Sequence, residues 1–121
     1  MKERNQTLSP TQILQITNIL RIIGLKTSHI GTKLINKSIQ YIIINDMDFF
    51  TLEEIYNYLH SIYNFNKRTI KSNMNNAITN RDIKKSKDNF EKVFHYEYDV
   101  YTFEPKTFLE EISQIIYTNL Q

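Results

Sequence analysis

The chain has 121 residues, 40% hydrophobic and 23% charged, with a net charge of +2, two Gly, two Pro and no Cys. That composition supplies one buried core and favours helices over a many-turned β fold. The missing cysteines exclude a disulfide framework and thiolate metal sites, and they fit a reducing cytoplasm.

The N-terminal MKERNQTLSP has no apolar stretch and does not read as a signal peptide. Residues 1–8 are expected to be a flexible N-terminus, and 9–121 one helical domain. Ser9-Pro10-Thr11-Gln12 reads as a helix start: a serine cap, proline at the first helical position and glutamine closing a capping box. Ile13, Leu14, Thr17, Leu20 and Ile23 follow at helical spacing, and Gly24 is placed to end the helix. A second helix is predicted over about 31–45, with Leu34, Ile35, Ile39, Ile42 and Ile43 inward and Asn45-Asp46 as its exit. Its run Tyr41-Ile42-Ile43-Ile44 has strand propensity, but it is far too short to span a bilayer, so no membrane partner is expected.

Thr51-Leu52-Glu53-Glu54 is a second capping box, opening a helix over 51–63. Asn64-Phe65-Asn66 is a polar break with one apolar anchor. A fourth helix, about 67–80, has a narrow apolar stripe of Ile70, Met74, Ala77 and Ile78. Residues 81–92 are highly charged and weakly patterned, so they read as a loop or a short helix. Phe94 to Val100 alternates with period two, which suggests an extended segment or wing near 94–103. Thr107-Phe108-Leu109-Glu110 reads as the cap of a last helix, apolar at Phe108, Leu109, Ile112, Ile115, Ile116 and Leu120. The expected fold is all-α, with five to six helices and a central helix-turn-helix.

Little points to catalysis. His29, His60 and His95 are far apart in sequence and lack a paired ligand at helical or hairpin spacing. Gly24 and Gly31 stand alone, so there is no glycine-rich phosphate loop. The pairs Glu53-Glu54 and Glu110-Glu111 fall in expected first helical turns, where the helix dipole favours negative charge. Neither an enzyme, a metal nor a cofactor is expected.

Charge is unevenly distributed. Residues 1–40 sum to +5, 41–65 to −4, 66–87 to +6 and 88–121 to −5. The second basic segment begins on the second helix of the pair 51–63 and 67–80, which has helix-turn-helix proportions, the first helix being acidic at its start. Outside its apolar stripe the second helix offers Lys67, Arg68, Thr69, Lys71, Ser72, Asn75, Asn76 and Thr79, and Arg81, Lys84 and Lys85 follow. Asn can pair bidentately with adenine, Ser and Thr serve either base edge, and Lys and Arg neutralise phosphates. An ordinary solvated helix would carry more Glu, Gln or Ala, because Asn and Thr are mediocre helix formers. No acidic residue occurs from 66 to 81. The expected partner is double-stranded DNA, bound by these eleven residues.

Several segments also resemble a known family. Ile16-Thr17-Asn18-Ile19-Leu20, Ile22-Ile23-Gly24-Leu25, Gly31, Ser38-Ile39, Asn45-Asp46, Phe65-Asn66, Ala77-Ile78, Pro105 and Phe108-Leu109 recur at a shared spacing over residues 12–120. In these the chain resembles the C-terminal DNA-binding effector domain of the master response regulator of endospore formation in Firmicutes. The resemblance implies about six helices, a helix-turn-helix near the middle, DNA binding as a dimer on tandem or paired sites, and transcription control. Such a regulator would also meet RNA polymerase. Two departures stand out. The turn before the recognition helix is about two residues shorter, and Lys71, Ser72, Asn75 and Asn76 stand where the family reads bases with Arg, Glu and His. The family's receiver domain has no counterpart in the chain.

Two other readings compete: a plasmid or phage accessory factor for conjugation or replication, with 94–103 as a wing, and an interaction domain that antagonises a related regulator. A homodimer, weak or DNA-induced, is expected to pair through the last helix, where Phe108, Leu109, Ile112, Ile115, Ile116, Tyr117 and Leu120 cover more than one narrow stripe and some are expected to stay exposed, with Ile116 and Tyr117 the positions to test.

Overall fold

Ser9 accepts from the Gln12 backbone N–H, and the Gln12 side chain accepts in return from the Ser9 N–H, so the first helix starts at its predicted cap. The structure is a computed structural model and describes residues 7–95 and 97–120. Six α-helices follow in order: α1 (Pro10–Ile22), α2 (Ile30–Ile44), α3 (Leu52–Tyr63), α4 (Lys67–Thr79), α5 (Ile83–Phe94) and α6 (Pro105–Asn119). A short 3-10 helix, Val100–Phe103, precedes α6. The described residues contain no strand, and the fold is all-α. The expected flexible segment falls largely on residues 1–6, outside the described residues; Leu8 packs half-buried against the core.

α2 is the hub, touching α1, α3, α4 and α6. Leu34, Ile35, Ile39 and Ile42 are buried, as are the small or polar Gly31, Thr32, Ser38 and Gln40. This broad buried face explains why the Tyr41–Ile44 run stays helical: its neighbours are helices, and the described residues offer no strand to pair with it. The helix ends as expected at Asn45, followed by Asp46 at φ 55°.

α2 meets α4 through the least side-chain bulk possible. A Cβ added to Gly31 would lie 1.9 Å from the Asn73 carbonyl oxygen and 2.8 Å from the Ala77 Cβ. A second close approach joins the end of α1 to the start of α5. Gly24 has φ +99°, and a Cβ there would meet the Asp82 carbonyl oxygen at 2.5 Å. The Gly24 carbonyl also accepts the Asp82 N–H at 2.8 Å.

Three expectations are corrected. Among the described residues, 94–103 hold no strand that could serve as a wing. Phe94 ends α5, and Phe94, Tyr98 and Phe103 gather round the fully buried Phe90, with ring centroids 5.0 to 5.8 Å from it. With no strand among the described residues to complete a ladder, Phe94 and Tyr98 are satisfied by this cluster. Secondly, α6 begins at Pro105, not after Thr107, and its cap residue Glu104 makes no side-chain capping bond. Glu110 and Glu111 therefore lie beyond the first turn, and Glu110 pairs with Lys106 at 3.5 Å. Thirdly, Ile116 is wholly buried, together with Phe108, Leu109 and Ile112, while Tyr117 is half exposed. Most of the apolar face of α6 thus packs on the core, with Tyr117 and the partly buried Leu120 left toward the surface.

Gly31→Ala is expected to lower stability by about 1–3 kcal/mol, because the new methyl forces α2 and α4 apart. Urea unfolding followed by circular dichroism reads this directly; an unchanged midpoint would contradict the close approach.

Candidate nucleic-acid interface

α3 opens with the predicted capping box, Thr51 Oγ1 accepting from the Glu54 N–H and Glu54 accepting from the Thr51 N–H. It closes at Asn64, which takes the left-handed conformation (φ 59°) that a tight helix-to-helix turn requires and that Asn tolerates better than most residues. Phe65 turns half inward against the core and stacks on Tyr63. Its carbonyl accepts from the His60 ring at 2.6 Å, so His60 is a turn fastener. Asn66 then caps α4 by accepting the Thr69 N–H at 2.8 Å. A three-residue turn thus joins two helices whose contact is sealed by burial of Ile55, Leu59, Ile70 and Met74.

On α4 the buried positions are Ile70, Met74, Ala77 and Ile78. The opposite side is open. Arg68, Ser72 and Asn76 form one exposed row at four-residue spacing, flanked by the exposed Thr69, Lys71 and Thr79. Among the described residues, no hydrogen bond or ion pair engages the side chains of Arg68, Lys71, Ser72 or Asn76. They are available to an outside partner, and no carboxylate lies on the helix.

The remaining candidates divide. Lys67 is committed to Glu53 across the α3–α4 junction, though both stay largely exposed. Asn75 is half-buried and lines a groove with Leu52, Tyr56, Lys71 and Phe103; its Oδ1 is buried without a partner. It lies at the inner margin of the polar face. In the same groove, burial and then the nearby Glu53 push the Tyr56 phenol above its usual range, so it brings no negative charge to Lys71. Lys84 and Lys85 are exposed on the first turn of α5, and Lys84 pairs with Asp88 at 3.1 Å.

Arg81 is the clear departure from the expected site. It is 8% exposed and turned inward. Its Nε donates to Ser86 Oγ (3.1 Å), one terminal nitrogen to the Ile78 carbonyl (2.9 Å) and the other to the Tyr98 hydroxyl (2.9 Å). The guanidinium carbon lies 3.6 Å from the centre of the Phe103 ring. A planar cation with several donors can be held by neutral acceptors and a ring face, so Arg81 is a structural clamp, not a phosphate contact. Apart from the Ile78 carbonyl, its partners follow it in the chain, two of them 17 or more residues on, and nothing in the sequence beside it distinguishes it from its lysine neighbours.

His29 caps α2, its Nδ1 accepting from the Gly31 N–H at 2.9 Å. The described residues hold no group of three metal-ligating side chains, and no helix among them is long and apolar enough to cross a membrane. Compared with known protein families, with curated proteins and with solved structures, the chain matches none.

Arg81→Ala should destabilise the fold by about 2–4 kcal/mol, since it orphans two buried acceptors and a partly buried one and removes a ring contact. Arg68→Ala should change stability by less than about 0.5 kcal/mol. Equal effects of the two in urea melts would refute this division of roles.

Proposed function

We propose that the protein binds double-stranded DNA sequence-specifically, with α3–α4 as a helix-turn-helix and α4 as the recognition helix. The supporting observation is the outer face of α4. Arg68, Thr69, Lys71, Ser72, Asn76 and Thr79 are exposed on one helix that carries no carboxylate. Arg68 and Lys71 suit phosphates or guanine edges; Ser72 and Asn76 suit base edges. Asn75, half-buried, serves at the margin of that face, and Lys85 adds a cation at the start of α5.

The role we infer is transcription regulation from the cytoplasm, in line with the resemblance in sequence to the sporulation regulator's effector domain, with RNA polymerase as a second partner. A single recognition helix discriminates poorly among genomic sites, so two copies are proposed to pair on DNA. An accessory factor that marks a plasmid or phage site would use the same face.

Fluorescence anisotropy with duplex DNA tests the reading. With three to five phosphates neutralised, log affinity should fall against log salt with a slope of about −3 to −4. A slope near zero, or no binding at low salt, would remove the proposal.

Substitutions separate reading from positioning. On a site enriched from a random duplex pool, Asn76→Ala should cost about 1–3 kcal/mol of discrimination at particular base pairs. Arg68→Ala should weaken specific and random DNA alike if that residue holds phosphate. Unaltered base preference in the Asn76 variant would move the reading element off this helix face.

A further inference from the structure

The α4 face uses only one of the chain's two basic segments. The other, residues 1–40, has no role in that reading, yet from residue 4 to residue 45 the chain has no Asp or Glu. The stretch from 55 to 81 has none either. α1, α2 and α4 are therefore free of carboxylates. The approach of Gly31 to Asn73 and Ala77 sets the first turn of α2 against the middle of α4. Two basic segments far apart in sequence are joined there.

The residues around that first turn are suited to an anion. Lys26, Ser28 and Lys33 are exposed, and among the described residues neither lysine has an ion-pair partner. The first turn of α2 has no acidic residue, and the N-terminal end of a helix is its positive end. Beside it is a depression lined by Thr17, Thr27, Thr32, Lys33 and Asn36. In it Thr32 is 3% exposed, and its hydroxyl has no hydrogen-bond partner. A buried donor without an acceptor is costly, and at this place an anionic oxygen would satisfy it.

Scale supports one ligand. Packed helix axes lie roughly 8–10 Å apart, and the DNA major groove is about 12 Å wide. A helix packed on the flank of one lying in the groove therefore reaches the groove's edge, where the phosphates run. We propose that the 26–29 loop and the first turn of α2 hold the DNA phosphodiester backbone bordering the groove that α4 enters. Lys26 and Lys33 supply the cations, and Thr32, with Thr27 and Ser28 beside it, the hydroxyl donors. The inference rests on the DNA-binding reading and extends it to a second, sequence-independent contact.

Anisotropy titrations of the full chain on duplex DNA test it, comparing wild type, the double variant Lys26→Ala/Lys33→Ala, Arg68→Ala and a control, Lys92→Ala. The double variant should lose about two units of salt slope, so its affinity loss between about 50 and 200 mM salt is roughly tenfold smaller than that of the wild type. Its base preference and melting temperature should be unchanged, and Lys92→Ala should behave as wild type. If the double variant keeps the wild-type slope while Arg68→Ala weakens binding, the α2 contact is overturned and the α4 reading stands. If wild type binds no duplex DNA, both fall.

Discussion

The approach of α2 to α4 at Gly31 is the constraint on which the candidate interface depends. α4 is a poor helix by composition, rich in Asn, Ser and Thr outside a stripe of four buried residues. Its stability comes from tertiary burial of that stripe and from the Asn66 cap, and little from propensity. The stripe is narrow, so the surface it packs on must come close. Gly31 and Ala77 allow this by removing side-chain bulk from both partners. A broader contact would have needed more apolar positions on α4 and left fewer polar ones facing outward.

A second constraint governs where the chain goes after α4. Gly24 and Asp82 meet backbone to backbone, tying the start of α5 to the end of α1. Arg81, one residue earlier, is clamped between the end of α4, Ser86, Tyr98 and the Phe103 ring. Its charge is therefore spent on cohesion: it joins the C-terminal end of α4 to α5 and to the aromatic cluster that also anchors the segment before α6. Lys84 and Lys85, three and four residues further on, keep their charge at the surface.

These contacts shape the electrostatics. The net charge is small, but the charges are sorted by element: carboxylates lie on α3, α5, α6 and the loops, and none lies on α1, α2 or α4. Packing α2 on α4 brings together in one region two helices that carry no carboxylate. A polyanion would be drawn to that region over distances of about a Debye length, roughly 10 Å at moderate salt, while the chain as a whole stays near neutrality.

The features legible in the sequence were those decided within one helical turn or by one periodic stripe. The Ser9–Gln12 and Thr51–Glu54 capping boxes, the glycine that ends α1, the Asn64–Asn66 turn and the buried stripe of α4 all rest on groups at most a few residues apart, so side-chain chemistry and spacing determined them. Tertiary structure decided the rest. The stripe of Ser86, Phe90 and Phe94 on α5 was hidden among charged neighbours, and Phe94 and Tyr98 joined a cluster on Phe90 because no strand among the described residues lay beside them. Arg81 turned inward because Tyr98 and Phe103 fold back over it, and Ile116 was consumed by the core. The joining of the two basic segments depended on a glycine whose importance lies in the helix it touches. Local hydrogen bonds and periodicity are properties of the chain; which surface a side chain meets is a property of how the helices pack.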